Sequence, residues 1–354
     1  MSVAGTRAQL VKTFVVWRHF RRHHEHVLVH TGEGIEEGVT RPVMKQLCLP
    51  DPDYDLSIGR PTPGRRLGRL LTYLEDIVVH EEPDVIVVYG DSATTLAGTF
   101  VGETSDALVA RVEAGVRGED GCRTAGIYRE QADRMADLLF APSERAADRL
   151  RAEGIESDIH VTGDPTVDAA LGVRDHALDR STALDRLDLD PGEYVVATVR
   201  RRLNTADGDR LSAILRGLSA SPLPVVFPAH PLTVERIREH DLHDLIGDEV
   251  RLLGPLGYLD FVALLTDADR VVTDSGVVQR EAPHLDTPCV TTAPGTPWVE
   301  TVDCGWNAVV DADSRQLTRE LSRSAGSGDE RPYGDGRAGV AVREAIETAV
   351  VERR

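Results

Sequence analysis

The sequence predicts an α/β protein made of two doubly wound domains, and three observations carry that prediction. Short β-branched runs recur along the 354 residues, as in Val85–Val88 and Val271–Thr273, without the in–out alternation of a strand with one wet face. Helical stretches such as Glu144–Glu153 and Asp207–Gly217 separate them. The alternation breaks once, between about Asp168 and Glu193, in a segment rich in Asp, Arg, Ala and Leu that ends in the turn signal Asp190-Pro191-Gly192. Strand then helix, repeated, gives a parallel sheet covered on both faces. The single break divides it in two.

Residues 1–168 form the first domain, with strands at Val27–Val29, Val85–Val88, Leu108–Val112, Leu138–Phe140 and His160–Thr162. The run before Gly5-Thr6 reads as a clipped first strand, because Met1–Ala4 leaves little room for one. Residues 169–193 read as a linker helix. Residues 194–330 form the second domain, with strands at Tyr194–Thr198, Pro224–Phe227, Val250–Leu253, Val271–Thr273, Cys289–Thr291 and Ala308–Val310. In residues 331–354 a Gly- and Ser-rich loop, begun near Gly326, gives way to a last helix from about Val340. No internal repeat is visible; the halves are alike only in pattern.

Composition narrows the function. Net charge is -19, and Lys12 and Lys45 are the only lysines, every other basic residue save histidine being arginine. A dispersed acidic surface almost without lysine suggests a protein adapted to high salt, where screening removes self-repulsion. It argues against nucleic acid as a partner. No apolar run reaches about 18 residues and no signal-peptide order opens the chain, so the expectation is a cytoplasmic protein without a membrane partner. Cys48, Cys122, Cys289 and Cys304 are far apart and read as reduced, mostly buried thiols. His19, His23, His24, His26 and His30 cluster without a second ligand group and read as a polar helix face leading into a strand.

Ligands of doubly wound sheets bind beyond the carboxyl ends of the strands. Those ends are segregated here. Asp91 and Glu113 follow strands of the first domain; Arg200, His230 and the Ser275-Gly276 turn follow strands of the second. One side offers acid and base groups, the other a grip for an anion. Around Ser275 a buried strand, a tight turn and a helix N-terminus carrying Glu281 could hold a pyrophosphate and a neighbouring sugar hydroxyl. The plainer alternative for that stretch is an ordinary turn with Ser275 as N-cap.

An ordered set of stretches gives the chain a family likeness. It runs from Gly5-Thr6-Arg7 through Gly90-Asp91-Ser92, Val112-Glu113-Ala114-Gly115-Val116-Arg117, Ala141-Pro142-Ser143-Glu144 and Val161-Thr162-Gly163-Asp164. It continues in Pro228-Ala229-His230-Pro231, Pro255-Leu256-Gly257-Tyr258, Asp274-Ser275-Gly276 and Glu281-Ala282-Pro283. Together these resemble the non-hydrolysing UDP-N-acetylglucosamine 2-epimerases. The resemblance implies two Rossmann-like domains in the GT-B arrangement with an interdomain cleft, a homodimer, and a reaction needing no cofactor and no metal. UDP is eliminated from UDP-GlcNAc across C1–C2, and re-addition to the 2-acetamidoglucal gives UDP-ManNAc for surface glycan synthesis. It further implies Asp91, Glu113 and Glu130 as acid/base groups, Arg7 and the Ser275-Gly276 turn on phosphate, His230 on the nucleotide, Tyr258 near uracil and Glu281 on ribose.

The departures point to specific changes. The family's Thr-x-His-Arg-Arg-Glu-Asn block reads Thr198-Val199-Arg200-Arg201-Arg202-Leu203-Asn204, so a histidine has become Arg200, which can clamp phosphate but cannot shuttle a proton. Gly276-Val277 stands for Gly-Gly, Ala293 for an arginine, and Gly5-Thr6-Arg7-Ala8-Gln9 for Gly-Thr-Arg-Pro-Glu. The loop Gly118–Tyr128 before Glu130 is longer. Glu33 and Glu36 stand where bacterial members use glutamines to bind an activating second substrate molecule. Two alternatives to the epimerase stay open: a UDP-sugar-binding homologue impaired in catalysis, and a related enzyme that acts on a modified UDP-sugar or hydrolyses the product.

Overall fold

Runs of Val, Ile, Leu and Ala at strand positions build two wholly parallel sheets in the computed structural model, which describes residues 1–33, 40–59, 61–118, 123–323, 328 and 330–353. Cys122, Glu36 and part of the Gly118–Tyr128 loop lie outside these residues. The chain separates into two compact units. Unit 1 holds Met1–Arg117, Cys122–Ala169 and Tyr333–Arg354; unit 2 holds Gly118–Gly121 and Ala170–Pro332.

The seven strands of unit 1 are β1 (Ser2–Ala4), β2 (Leu28–His30), β3 (Tyr54–Asp55), β4 (Val85–Tyr89), β5 (Leu108–Val112), β6 (Leu138–Ala141) and β7 (Asp158–Val161). Their order is β3-β2-β1-β4-β5-β6-β7. The clipped N-terminal run is thus a central strand, fully buried, pairing Ser2 with Leu28 on one side and with Val87 on the other. Its three residues suffice because both neighbours complete its backbone hydrogen bonds. The two-residue β3 offers no apolar run, which is why the sequence does not announce it.

One face of this sheet is covered by the helices Pro63–Glu81 and Ala93–Glu103. Leu70, Leu74, Ile77 and Val78 recur at helical spacing against Ile86, Val88 and Val109. The other face takes the helix Arg7–Phe20 and the C-terminal helix Ala338–Arg353, whose Val342 and Ile346 pack with Val16, Val87 and Phe140. Burying two such side chains is worth roughly 1.5–3 kcal/mol each. Asp168 helps bring this helix back: its carboxylate accepts the Gly339 N–H at 2.8 Å, inside the first turn. The C-terminal helix therefore belongs with unit 1. The helix at the break begins at Pro165, runs to Arg180, and is followed by a short one at Ala183–Leu187.

Unit 2 has six strands, β8 (Val195–Thr198), β9 (Val225–Pro228), β10 (Val250–Leu253), β11 (Arg270–Thr273), β12 (Cys289–Thr291) and β13 (Asn307–Val309), in the order β10-β9-β8-β11-β12-β13. In both units the strand order reverses beside the first strand, between β1 and β4 and between β8 and β11. Those reversal points are where such sheets leave a crevice for a ligand. Gly5-Thr6-Arg7 and Gly90-Asp91-Ser92 flank the first; Arg200-Arg201 and Asp274-Ser275-Gly276 flank the second.

The histidine cluster does not sit on one helix face. His19 is helical, His23, His24 and His26 lie in the following turn and coil, and His30 closes β2. Among the described residues no group of His, Cys, Asp or Glu is arranged to hold a metal ion, and no helix is long and apolar enough to cross a membrane. Of the described cysteines, all unpaired, only Cys289 is buried; Cys48 is exposed and Cys304 half-buried, because both sit at helix ends.

Candidate active site

In unit 1 the strand ends at the reversal point are tied together by one amide. Gln9 sits in the first turn of the helix Arg7–Phe20, where Thr6 caps it and accepts the Gln9 N–H at 3.3 Å. Its Oε1 accepts Gly5 N–H at 2.7 Å and Thr6 N–H at 3.1 Å, while its Nε2 donates to Tyr89 O at 2.6 Å and lies 3.0 Å from Ser92 Oγ. A glutamate here could accept but not donate. The change at Gln9 therefore fastens the turn that leads to Asp91. Arg7 opens the same helix.

Asp91 and Glu113 are each paired with a cation. Asp91 follows Gly90, whose φ of +68° suits glycine, and it accepts from the Arg129 guanidinium. Glu113 caps the end of β5 with a φ of +70°, a left-handed conformation costly for a side chain of this type. Its carboxylate is 6% exposed and pairs with Lys12, itself 3% exposed. Burial pulls the pKa of the fully buried Arg111 down, while Asp133, Glu113 and Asp91 pull it up, so both candidate carboxylates share the field of one buried guanidinium. Glu130 differs. It lies on the helix Arg123–Met135 with 49% of its side chain exposed, 3.5 Å from Arg134 one turn on. Its chain neighbour Arg129 is the residue that pairs with Asp91.

Glu33 spends its carboxylate inside the fold. It accepts Thr94 N–H and the Thr94 hydroxyl, both at 2.8 Å, and Ala93 N–H at 3.3 Å, filling the N-terminus of the helix Ala93–Glu103. Arg66 pairs with it at 3.1 Å.

In unit 2 the buried Asp274 organises the loop after β8. It accepts Arg200 N–H at 3.0 Å, Arg201 N–H at 2.9 Å and the Asn204 amide at 3.0 Å. Burial pushes its carboxyl up, and these hydrogen bonds oppose the shift. The outcome is a fixed turn from which the exposed Arg200 side chain departs. Ser275 is the N-cap of the helix Gly276–His284, yet its side chain does not cap it. The plainer reading of that turn therefore supplies only the cap position, and the first amides of the helix receive no hydrogen bond from Ser275. Gly276 is required by close packing, since a Cβ would stand 2.4 Å from Trp298 Nε1. The Arg280 guanidinium stacks 3.7 Å above the same indole.

The structure brings Tyr258 and Glu281 together: the phenol donates to the buried carboxylate at 2.8 Å. His230 is the N-cap of the helix Pro231–Glu239, and its Nδ1 accepts Leu232 N–H at 3.3 Å. That bond places the proton of a neutral ring on Nε2. Sequence reasoning missed Lys12, Arg111, Arg129 and Asp133. The signal for Lys12 was present, as one of only two lysines, spaced by one turn from Gln9.

A family model described as UDP-N-acetylglucosamine 2-epimerase matches residues 18–347 of this chain. The chain belongs to that family. A UDP-N-acetylglucosamine 2-epimerase homolog from Methanococcus maripaludis is 33% identical over 351 residues, 98% of each chain. The UDP-2,3-diacetamido-2,3-dideoxy-D-glucuronate 2-epimerase of Pseudomonas aeruginosa is 34% identical over 358 residues, covering 97% of this chain and 98% of that one. Among solved structures, the Methanocaldococcus jannaschii UDP-GlcNAc 2-epimerase in complex with UDP-GlcNAc and UDP aligns with a TM-score of 0.90 at 31% identity, over 98% of this chain and 99% of the other. The fold is the GT-B α/β fold of these epimerases, with one parallel sheet in each Rossmann-like unit.

Proposed function

We propose that this protein is a UDP-N-acetylglucosamine 2-epimerase, interconverting UDP-GlcNAc and UDP-ManNAc by elimination and re-addition of UDP. The observation that carries the proposal is the segregation of charge at the two reversal points, in a chain similar throughout its length to an enzyme crystallised with UDP-GlcNAc and UDP. Removing the C2 proton requires an ionised base held in place. Glu113 with Lys12 meets that need. Expelling UDP requires an acid near the sugar and cations on the pyrophosphate. Asp91 and Glu130 are the carboxylates assigned to that proton work, Arg7 and Arg200 supply the cations, and Ser275 with the amides at Gly276 adds neutral donors. His230, Tyr258 and Glu281 hold the nucleoside. Arg200 stays protonated, so the phosphate is gripped by a permanent charge in place of a titrating ring.

The same reading makes the protein a cytoplasmic homodimer, which light scattering in high salt checks for its assembly. Proton NMR with UDP-GlcNAc in D2O tests the chemistry. Loss of the sugar H2 signal together with UDP-ManNAc formation is the expected result. An unchanged spectrum with UDP still bound would instead favour the impaired binder, and free sugar would favour a hydrolysing enzyme. The Pseudomonas relative, as similar as any named above, favours one second reading, a UDP-sugar carrying further acetamido or carboxyl groups. Supplying UDP-2,3-diacetamido-2,3-dideoxy-D-glucuronate in a parallel sample decides between them by relative kcat/KM.

A further inference from the structure

Below the two paired carboxylates of unit 1 lies a second, fully buried charge cluster to which the reaction just proposed assigns no part. Arg111 on β5 and Asp133 on the helix Arg123–Met135 are both 0% exposed, with Arg111 Nε 3.4 Å from Asp133 Oδ1. Burying a guanidinium and a carboxylate at this depth costs several kcal/mol per ion, which an apolar pair would avoid. The hydrogen bonds indicate what the pair does there.

Asp133 Oδ2 accepts Gly115 N–H at 3.1 Å and the Arg117 guanidinium at 2.6 Å, and Arg117 is held in turn by Glu153 at 2.7 Å. Arg111 Nη1 donates to the carbonyl of Val112, the residue before Glu113. That carbonyl also receives Gly90 N–H at 3.4 Å, from the residue before Asp91. From the opposite side, Phe140 O accepts the N–H groups of Glu113 at 3.1 Å and Ala114 at 3.0 Å. The turn gripped in this way carries two successive demands on the backbone, Glu113 at φ +70° and Gly115 at φ +76°. At Gly115 a Cβ would stand 2.2 Å from Ala146 O, so the turn cannot relax in that direction.

We infer that Arg111 and Asp133 are positioning residues for the epimerisation. They clamp the strained turn that presents Glu113 and couple it to the loop that presents Asp91. The inference rests on the epimerase reading. Among the described residues, the charged groups gathered round this turn include Lys12 paired with Glu113, Arg129 paired with Asp91, and Arg111 and Arg117 both on Asp133. Opposite changes in this set have opposite signs. Losing Arg111 removes a positive charge from beside the turn and losing Asp133 removes a negative one, so the two changes act on the local field with opposite sign.

The test is kcat and KM against pH for wild type, Arg111→Gln, Arg111→Lys and Asp133→Asn, with thermal melts of each and C2-proton exchange as the assay. The expected kcat loss is about a hundredfold in Arg111→Gln and Asp133→Asn, the usual effect of misplacing a catalytic group by about 1 Å. KM should stay within about threefold, because neither substitution touches a residue assigned to the UDP grip, which lies in unit 2 apart from Arg7. The acid limb of the profile should rise by about one pH unit in Arg111→Gln and fall in Asp133→Asn, while Arg111→Lys keeps it in place. A purely structural pair would lower the melting temperature and leave the limb where it is in every variant that folds. That result, or limbs moving in the same direction, overturns the inference while leaving the epimerase intact. If Arg111→Gln does not fold, Arg111→Lys against Asp133→Asn still gives the sign. A wild type without exchange at C2 overturns both readings, since Glu113 then has no proton to be positioned for.

Discussion

At the strand ends of unit 1, buried carboxylates are matched with cations, Glu113 with Lys12 and Asp133 with Arg111 and Arg117. At the matching ends of unit 2, Asp274 is met by two backbone amides and Asn204, Glu281 accepts from the hydroxyl of Tyr258, and Arg200 is exposed. On the proposed function, the contrast follows from what each side must do. A base has to stay ionised in a dry place, which takes a fixed opposite charge. An anion grip needs donors and cations that are not already spent, so its own carboxylates serve as scaffold and leave the arginine outside.

Breaking a pair in unit 1 should have the larger effect. Lys12→Met leaves Glu113 buried without its cation, and removing one partner of a buried pair costs roughly 3–5 kcal/mol. The expected results are a large drop in the urea midpoint and loss of most C2-proton exchange at neutral pH. Acid should also act on unit 1 through His26, whose ring burial pulls down to about 4 from 6.5. The unfolded chain then binds the extra proton, so stability is full above pH 6.5 and is lost as pH falls toward about 4. The loss is on the order of 3 kcal/mol, at 1.36 kcal/mol per pKa unit. Urea melts at pH 7 and pH 5 should show it in wild type, and His26→Asn should flatten the difference.

Changes in unit 2 should act on binding. Arg200→Ala removes a charge-assisted contact worth about 1.5–3 kcal/mol, so UDP should bind about ten- to a hundredfold more weakly by calorimetry, with a smaller effect on turnover at saturation. Tyr258→Phe removes one hydrogen bond to Glu281, about 1 kcal/mol, and should weaken UDP about fivefold. A loss of turnover without a loss of UDP affinity in either variant would move the boundary between the two roles.

Much of this plan was legible in the sequence. Unbroken β-branched runs such as Val85–Val88 and Val271–Thr273 named their strands because a sheet buried on both faces needs no polar alternation. Ser2–Ala4 and Tyr54–Asp55 were harder, being short and defined by their neighbours. Asp91, Glu113, Arg200 and Ser275 could be chosen because they follow strands, and position in the chain carries that information. Their partners could not. Lys12, Arg129 and Asp133 reach the site from helices far away in sequence, and only the folded backbone sets Lys12 against Glu113. Asp133 is fully buried, yet in a chain of net charge -19 nothing in the sequence around it sets it apart from the other acids.

The most direct test of this division of labour is Glu113→Gln, with C2-proton exchange and UDP calorimetry on the same preparation. The substitution keeps the shape of the side chain and removes its charge. Exchange should fall by about 10²–10⁴-fold, the usual worth of a general base, while UDP affinity stays within about threefold. Exchange near the wild-type rate, or UDP affinity lost along with it, would contradict the assignment of proton work to unit 1 and grip to unit 2.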